Sequence, residues 1–189
     1  GGGGDDGGAC RDDTSKAACD DADGVVRYTP LTFATTFARR AVRRCTRVVV
    51  NVGQWSLGWQ TRGALQPVNE YQTRFASMLQ SLLAQRPRGG GGRNKSAVMP
   101  VYVLTSPPIS LFAHALGCPA HDWRTDASIA LYNAALRRAV RLVGAPPLHL
   151  IDTAALLLPV ADLSYDRWHY SGRIGDVVAA YVARRVVRN

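Results

Sequence analysis

From residue 24 onward, short runs of β-branched residues alternate with longer segments whose apolar residues recur every three or four positions. The sharpest of the short runs is RVVVNV at residues 47–52, where three valines follow one another without a polar residue between them. An unbroken apolar run of strand length suits a β-strand covered on both faces, which is the condition of strands in a parallel sheet. Parallel strands cannot be joined by a tight hairpin, and the amphipathic segments between the runs are long enough to serve as helical crossovers. The chain is therefore expected to be an α/β protein with a doubly wound, mainly parallel sheet, its ligand at the carboxyl ends of the strands.

The runs predict strands over residues 25–28, 47–52, 98–105 and 148–151, with helices over about 31–44, 69–85 and 126–143 and a last one after Ser171. In the second of these helices Tyr71, Phe75, Met78, Leu79, Leu82 and Leu83 form one apolar stripe, read as core packing. In the third, Ile129, Tyr132, Leu136, Ala139 and Val143 share a face. Thr125 or Asp126 can cap that helix, Gly144 ends it, and Pro146-Pro147 prevent its continuation. Ile174, Val177, Val178, Tyr181 and Val182 predict an inward stripe on the last helix. His149, inside a strand, is read as a packed histidine.

Residues 1–23 are mostly Gly, Asp and Ala with almost no large apolar side chains, so they cannot offset their own ordering entropy and read as disordered linker. Residues 86–96 (RPRGGGGRNKS) read as a flexible loop inside one domain spanning 24–189. With 189 residues, 47% of them hydrophobic, that domain can hold a sizeable core. No window approaches the roughly 18 apolar residues of a membrane span. Cys10, Cys19, Cys45 and Cys118 show no zinc-type spacing. The net charge of +9 comes from arginines clustered at 39–44, 137–141 and 184–188, in the last turns of predicted helices. Cations there face water and complement the helix dipole, a reading favoured over a nucleic-acid patch, which would need the clusters to converge among aromatics.

The chemistry centres on Asp166 and His169, three residues apart just before the last helix, so that one turn brings both to the same side. A carboxylate accepting from imidazole Nδ1–H fixes the tautomer and leaves Nε2 to take a proton from a hydroxyl nucleophile. His114, Cys118 and His121 are read as loop residues rather than metal ligands, because Pro119 breaks the helix that would align them.

Two blocks resemble those of the SGNH (GDSL-like) hydrolases, nearest in pattern to PC-esterase, trichome-birefringence-like and NXPE-like acyl esterases and O-acetyltransferases. One is Asp166-Arg167-Trp168-His169 at the start of the last helix, where the family carries its D-x-x-H. The other is Asn51, Gly53, Gln54 and Trp55 at the end of the clearest strand, similar to N-x-G-x-W. The resemblance implies a three-layer fold, His169 as general base and Asp166 as its orienter. It also implies an oxyanion or substrate wall built from Gly53 with Asn51 or Gln54, and Trp55. Trp55 stands where the wider family has the Asn of its G-x-N block.

No Gly-Asp-Ser occurs, and Asp13-Thr14-Ser15 lies in the linker. Ser106, before two prolines, and Ser171, a helix N-cap candidate, are the alternative hydroxyls. The chain is thus expected to be the later two-thirds of such a domain, with its first strand and serine upstream, and to be inactive by itself.

For the complete protein the resemblance implies hydrolysis or transfer of a short acyl group on a carbohydrate or glycan-type ester by a Ser-His-Asp mechanism, with no cofactor and no metal. It also implies a secretory-pathway setting. A non-catalytic binding module of the same fold and a basic α/β nucleic-acid binder stay open as rivals.

Overall fold

Three parallel strands and the helices between and after them make up the part of the chain described by the computed structural model, residues 47–51, 57, 66–84, 99–109, 124–164, 169–170 and 172–188. In chain order these are β1 (Val48–Val50), α1 (Val68–Leu83), β2 (Val101–Leu104), α2 (Asp126–Val143), β3 (Leu148–Ile151), α3 (Thr153–Leu157), a 3₁₀ turn (Leu158–Leu163) and α4 (Gly172–Arg188). The sheet order is β1-β2-β3, with Val48 opposite Val101 and Val101 opposite Leu148. The mainly parallel α/β fold expected from the alternating pattern is what the chain adopts. The predicted strand at 25–28, helix at 31–44, linker at 1–23 and loop at 86–96 lie outside the described residues.

β2 is the central strand, and Val101, Tyr102 and Val103 are all fully buried, as a strand with two covered faces requires. Val101 and Val103 point into the main core beside Val48 and Val50, and there they meet Tyr71, Phe75 and Leu79 of α1 and Ile129, Tyr132 and Leu136 of α2. Two crossovers of one hand between strands added in one direction put both helices on the same face. α1 and α2 accordingly pack on each other: the Tyr71 ring lies 4.8 Å from that of Tyr132 and 5.8 Å from that of Phe75. The Tyr132 hydroxyl donates to the Gln66 carbonyl just ahead of α1. Burial pushes the Tyr71 phenol far above its ordinary range.

Tyr102 points to the opposite face, since strand side chains alternate. Its ring stacks on His149 of β3 at 4.8 Å, and its hydroxyl donates to the Val186 carbonyl of α4 at 3.3 Å. α4 therefore covers the second face, and His149 is half-buried against an aromatic ring, as its place in a strand suggested.

Capping on α2 follows the sequence closely. Thr125 and Ser128 form a reciprocal capping box, and Gly144 closes the helix in the left-handed region at φ 57°. β3 has the expected bounds and α1 nearly so, whereas β1 and β2 are shorter than the runs at 47–52 and 98–105, because a run counts side chains while a strand ends where its backbone pairing ends.

The last helix departs from expectation. Its inward arc runs through Ile174, Gly175, Val178, Tyr181, Val182 and Val186, whereas Val177, assigned to the inward stripe, is 60% exposed. At 100° per residue Val177 falls on the rim of that arc, and Gly175 and Val186 take up the inward position. The arginine reading also needs one correction. Arg137 does not face open water but reaches Asp152 beyond β3, Nη2 to Oδ2 at 2.7 Å. Among the described residues no helix is long and apolar enough to cross a membrane.

Replacing the fully buried Phe75 by Ala should lower the unfolding free energy by about 3–5 kcal/mol. Gly144→Ala puts a Cβ at positive φ, 3.3 Å from the Arg141 carbonyl, and should cost about 1 kcal/mol. Urea denaturation of both variants checks the ranking.

Candidate functional site at the end of the central strand

A central strand must hand its last backbone groups to some partner when the chain leaves the sheet. Residues 105–109, Thr-Ser-Pro-Pro-Ile, leave β2 at its carboxyl end, and their two prolines carry no N–H. All three remaining N–H groups are paired. Thr105 donates to the Ile151 carbonyl at 3.2 Å, Ser106 to Asn133 Oδ1 at 2.8 Å, and Ile109 to Asp126 Oδ1 at 3.0 Å. Three of the carbonyls are held too. That of Thr105 accepts from the Thr153 hydroxyl, that of Ser106 from Asn133 Nδ2 at 2.9 Å, and that of Pro108 from the Tyr170 hydroxyl at 3.1 Å.

Each of these side chains comes from a different place. Asn133 sits 3% exposed on the inward face of α2, and its carboxamide pairs with both backbone groups of Ser106 as a neighbouring strand would. Asp126 is the first residue of α2, and Thr153 the first of α3. Thr105 contributes its own side chain, donating to Asp152 Oδ1 at 2.9 Å and accepting from the Ala154 N–H at 2.8 Å.

Asp152 caps α3 through the Ala155 N–H, at 3.2 Å, while its second oxygen takes Arg137. Burial alone would raise its carboxyl pKa. The Arg137 hydrogen bond, the Ala155 N–H, the Thr105 hydroxyl and the Arg137 charge together outweigh that and hold it below its ordinary 3.8. With Arg137 31% and Asp152 38% exposed, water screens the pair, and its share of stability stays below about 1 kcal/mol.

His169 is exposed, on the segment between the 3₁₀ turn and α4. Its neighbour Tyr170 is half-buried and fastens that segment to the carboxyl end of β2 through Pro108, with a longer contact to the Ala161 carbonyl at 3.4 Å. Burial, then the nearby charges of Asp126 and Asp162, push the Tyr170 phenol up to about 12. Asn51 follows β1 directly, at the same end of the parallel sheet, and its Oδ1 is buried without a hydrogen-bond partner. Ser106, considered as an alternative hydroxyl, is 1% exposed, and its Oγ is buried and unpaired, out of reach of any substrate. Asp166, Gly53, Gln54, Trp55 and Ser171 lie outside the described residues, as do His114, Cys118 and His121. Among the described residues no three His, Cys, Asp or Glu side chains are grouped as metal ligands.

Asn133, Thr153, Gly175 and the structural uses of Asp126 and Tyr170 were not anticipated from the residues alone. Asn133 did leave a trace: a carboxamide within the apolar stripe of α2, beside Tyr132 and three residues before Leu136, signals a buried polar partner.

Compared with known protein families and with curated proteins, the chain matches none. Among solved structures it is similar to the salicylyl-acyltransferase SsfX3 from a tetracycline biosynthetic pathway, with a TM-score of 0.52 at 14% sequence identity. The match covers 82% of this chain and 41% of that protein, so the chain spans less than half the enzyme's length. At that identity the likeness is one of fold: a mainly parallel α/β arrangement that an acyltransferase also uses.

Asn133→Ala leaves two buried backbone groups of Ser106 unpaired, each worth on the order of 1–3 kcal/mol, so stability should fall by about 2–4 kcal/mol in urea titration. Asp152 gives a pH signature. Because folding depresses its pKa, the stability it contributes is present above the unfolded value and is lost as pH falls through the folded one. Asp152→Asn should therefore melt lower than the parent at pH 7, and the gap should narrow below about pH 4.

Proposed function

We propose that this chain belongs to an SGNH-type acyl-ester hydrolase or O-acyltransferase and carries the base half of its catalytic site. The observation that supports the reading best is the fastening of the His169 segment, through Tyr170 and Pro108, to the carboxyl end of the central strand, with His169 exposed there. In parallel α/β proteins that end of the sheet is where ligands are bound. The fold likeness to an acyltransferase agrees with an acyl-transfer chemistry.

In this reading His169 Nε2 takes the proton from a serine hydroxyl as the Oγ attacks the ester carbonyl, then returns it to the departing alcohol oxygen. Asp166 accepts from Nδ1–H and stabilises the imidazolium formed in between. Gly53, Asn51, Gln54 and Trp55 line the wall toward which the acyl oxygen turns. Water or a sugar hydroxyl then accepts the acyl group, and the substrate is a short acyl ester of a carbohydrate or glycan. The serine is a residue other than the shielded Ser106. No cofactor takes part in these steps.

The complete protein should hydrolyse p-nitrophenyl acetate in a His169-dependent manner, whereas the 189-residue chain should not exceed free imidazole. His169→Ala should lower kcat by about 10²–10⁴-fold with little change in substrate binding. Asp166→Asn should approach the upper end of that range, because an amide can select the wrong tautomer. A folded, active complete protein in which both variants keep kcat within twofold would falsify the assignment.

A further inference from the structure

Three features of the structure converge on one residue that the proposed chemistry does not use. The Tyr170 hydroxyl donates to the Pro108 carbonyl at 3.1 Å and lies 3.4 Å from the Ala161 carbonyl, so one phenol joins the loop after β2 to the 3₁₀ turn after β3. On the other side, the Tyr170 carbonyl approaches α4 where Gly175 stands, and a Cβ at that position would lie only 2.7 Å from the Tyr170 oxygen. Pro108 belongs to a loop already fixed by Asn133, Asp126 and Thr153, so the anchor itself has little freedom.

We infer that Tyr170 is the positioning residue for His169: its hydroxyl, bound to the Pro108 carbonyl, and its backbone, seated against Gly175, hold the histidine-bearing segment at the carboxyl end of the sheet. This inference rests on the proposed role of His169. The geometry explains why a tyrosine follows the histidine. A phenylalanine would fill the same half-buried space but could not bind the carbonyl, and the Pro108 oxygen would lose its partner. Burial, with the nearby carboxylates of Asp126 and Asp162, keeps its proton in place, so the donor does not switch off in the neutral range.

Tyr170→Phe removes only the oxygen, and Gly175→Ala presses on the same segment from the helix side, so the two reach His169 by different routes. In the complete protein both should lower kcat for p-nitrophenyl acetate by about 10–100-fold, the cost of a catalytic group displaced by a fraction of an ångström to an ångström. KM should stay within twofold. In the 189-residue chain, hydrogen–deuterium exchange of a peptide spanning residues 161–174 should quicken in Tyr170→Phe, while a peptide covering β2 keeps the parent rate.

Unchanged exchange around His169 would overturn the inference. So would a Tyr170→Phe enzyme whose kcat stays within twofold of a His169-dependent parent, or one whose loss is confined to KM. Should the complete protein lack His169-dependent activity altogether, the functional proposal fails, and the exchange result still decides whether Tyr170 holds the segment.

Discussion

A strand buried on both faces cannot release its chain into water gradually, and the consequences of that constraint at the end of β2 organise the candidate site. Val101, Tyr102 and Val103 are wholly enclosed, so the backbone that follows them emerges among other elements rather than at the surface. Unpaired, each buried N–H or carbonyl there would cost on the order of 1–3 kcal/mol. The fold meets this with side chains drawn from α2, from the start of α3 and from the segment before α4. Polar residues that look scattered in the sequence are thereby gathered onto four of five consecutive positions. Two prolines in the loop reduce the number of donors to be matched, which is why prolines stand where a strand ends and a rigid irregular loop begins.

How much of this the residues announce depends on whether the signal is periodic. The valine run of β1, the stripes of α1 and α2, the Thr125 cap and the Gly144 stop were all legible, because each is a repeat or a terminus with a local cause. The misplacement of Val177 is a matter of the rim: the five-residue apolar pattern on α4 marks one face, and tertiary packing decides that its edge at Gly175 and Val186 is covered while the edge at Val177 is not. The fastening of residues 105–109 was not legible, since its partners stand 17 to 62 residues away and follow no periodic pattern. Of the residues that the motifs named, Asn51 follows β1 and His169 precedes Tyr170, but nothing in D-x-x-H spacing indicated that the neighbouring tyrosine would carry the attachment to Pro108.

Arg137 illustrates the same division. Its cluster at the end of α2 invited an explanation from helix dipole and solvent, and Arg141 fits that explanation. Arg137 instead spends its charge on Asp152, which in turn holds Thr105 and caps α3. A single carboxylate thus links the end of β2, the side of α2 and the start of α3. A net positive chain with few acidic groups can give a well-placed carboxylate several donors, and Asp152 is used in this way.

The titration ranges of these groups bear on how activity can be read. Asp152 stays ionised until pH falls below its ordinary value, and the Tyr170 phenol keeps its proton up to about 12. Between those limits the carboxylate and the phenol that secure the loop do not change charge, so that part of the scaffold under the candidate site is the same at pH 5 and at pH 9. Acid loss of activity that tracks loss of structure would therefore arise from the Asp152 junction, whose contribution to stability is lost only as pH falls through its depressed folded-state pKa.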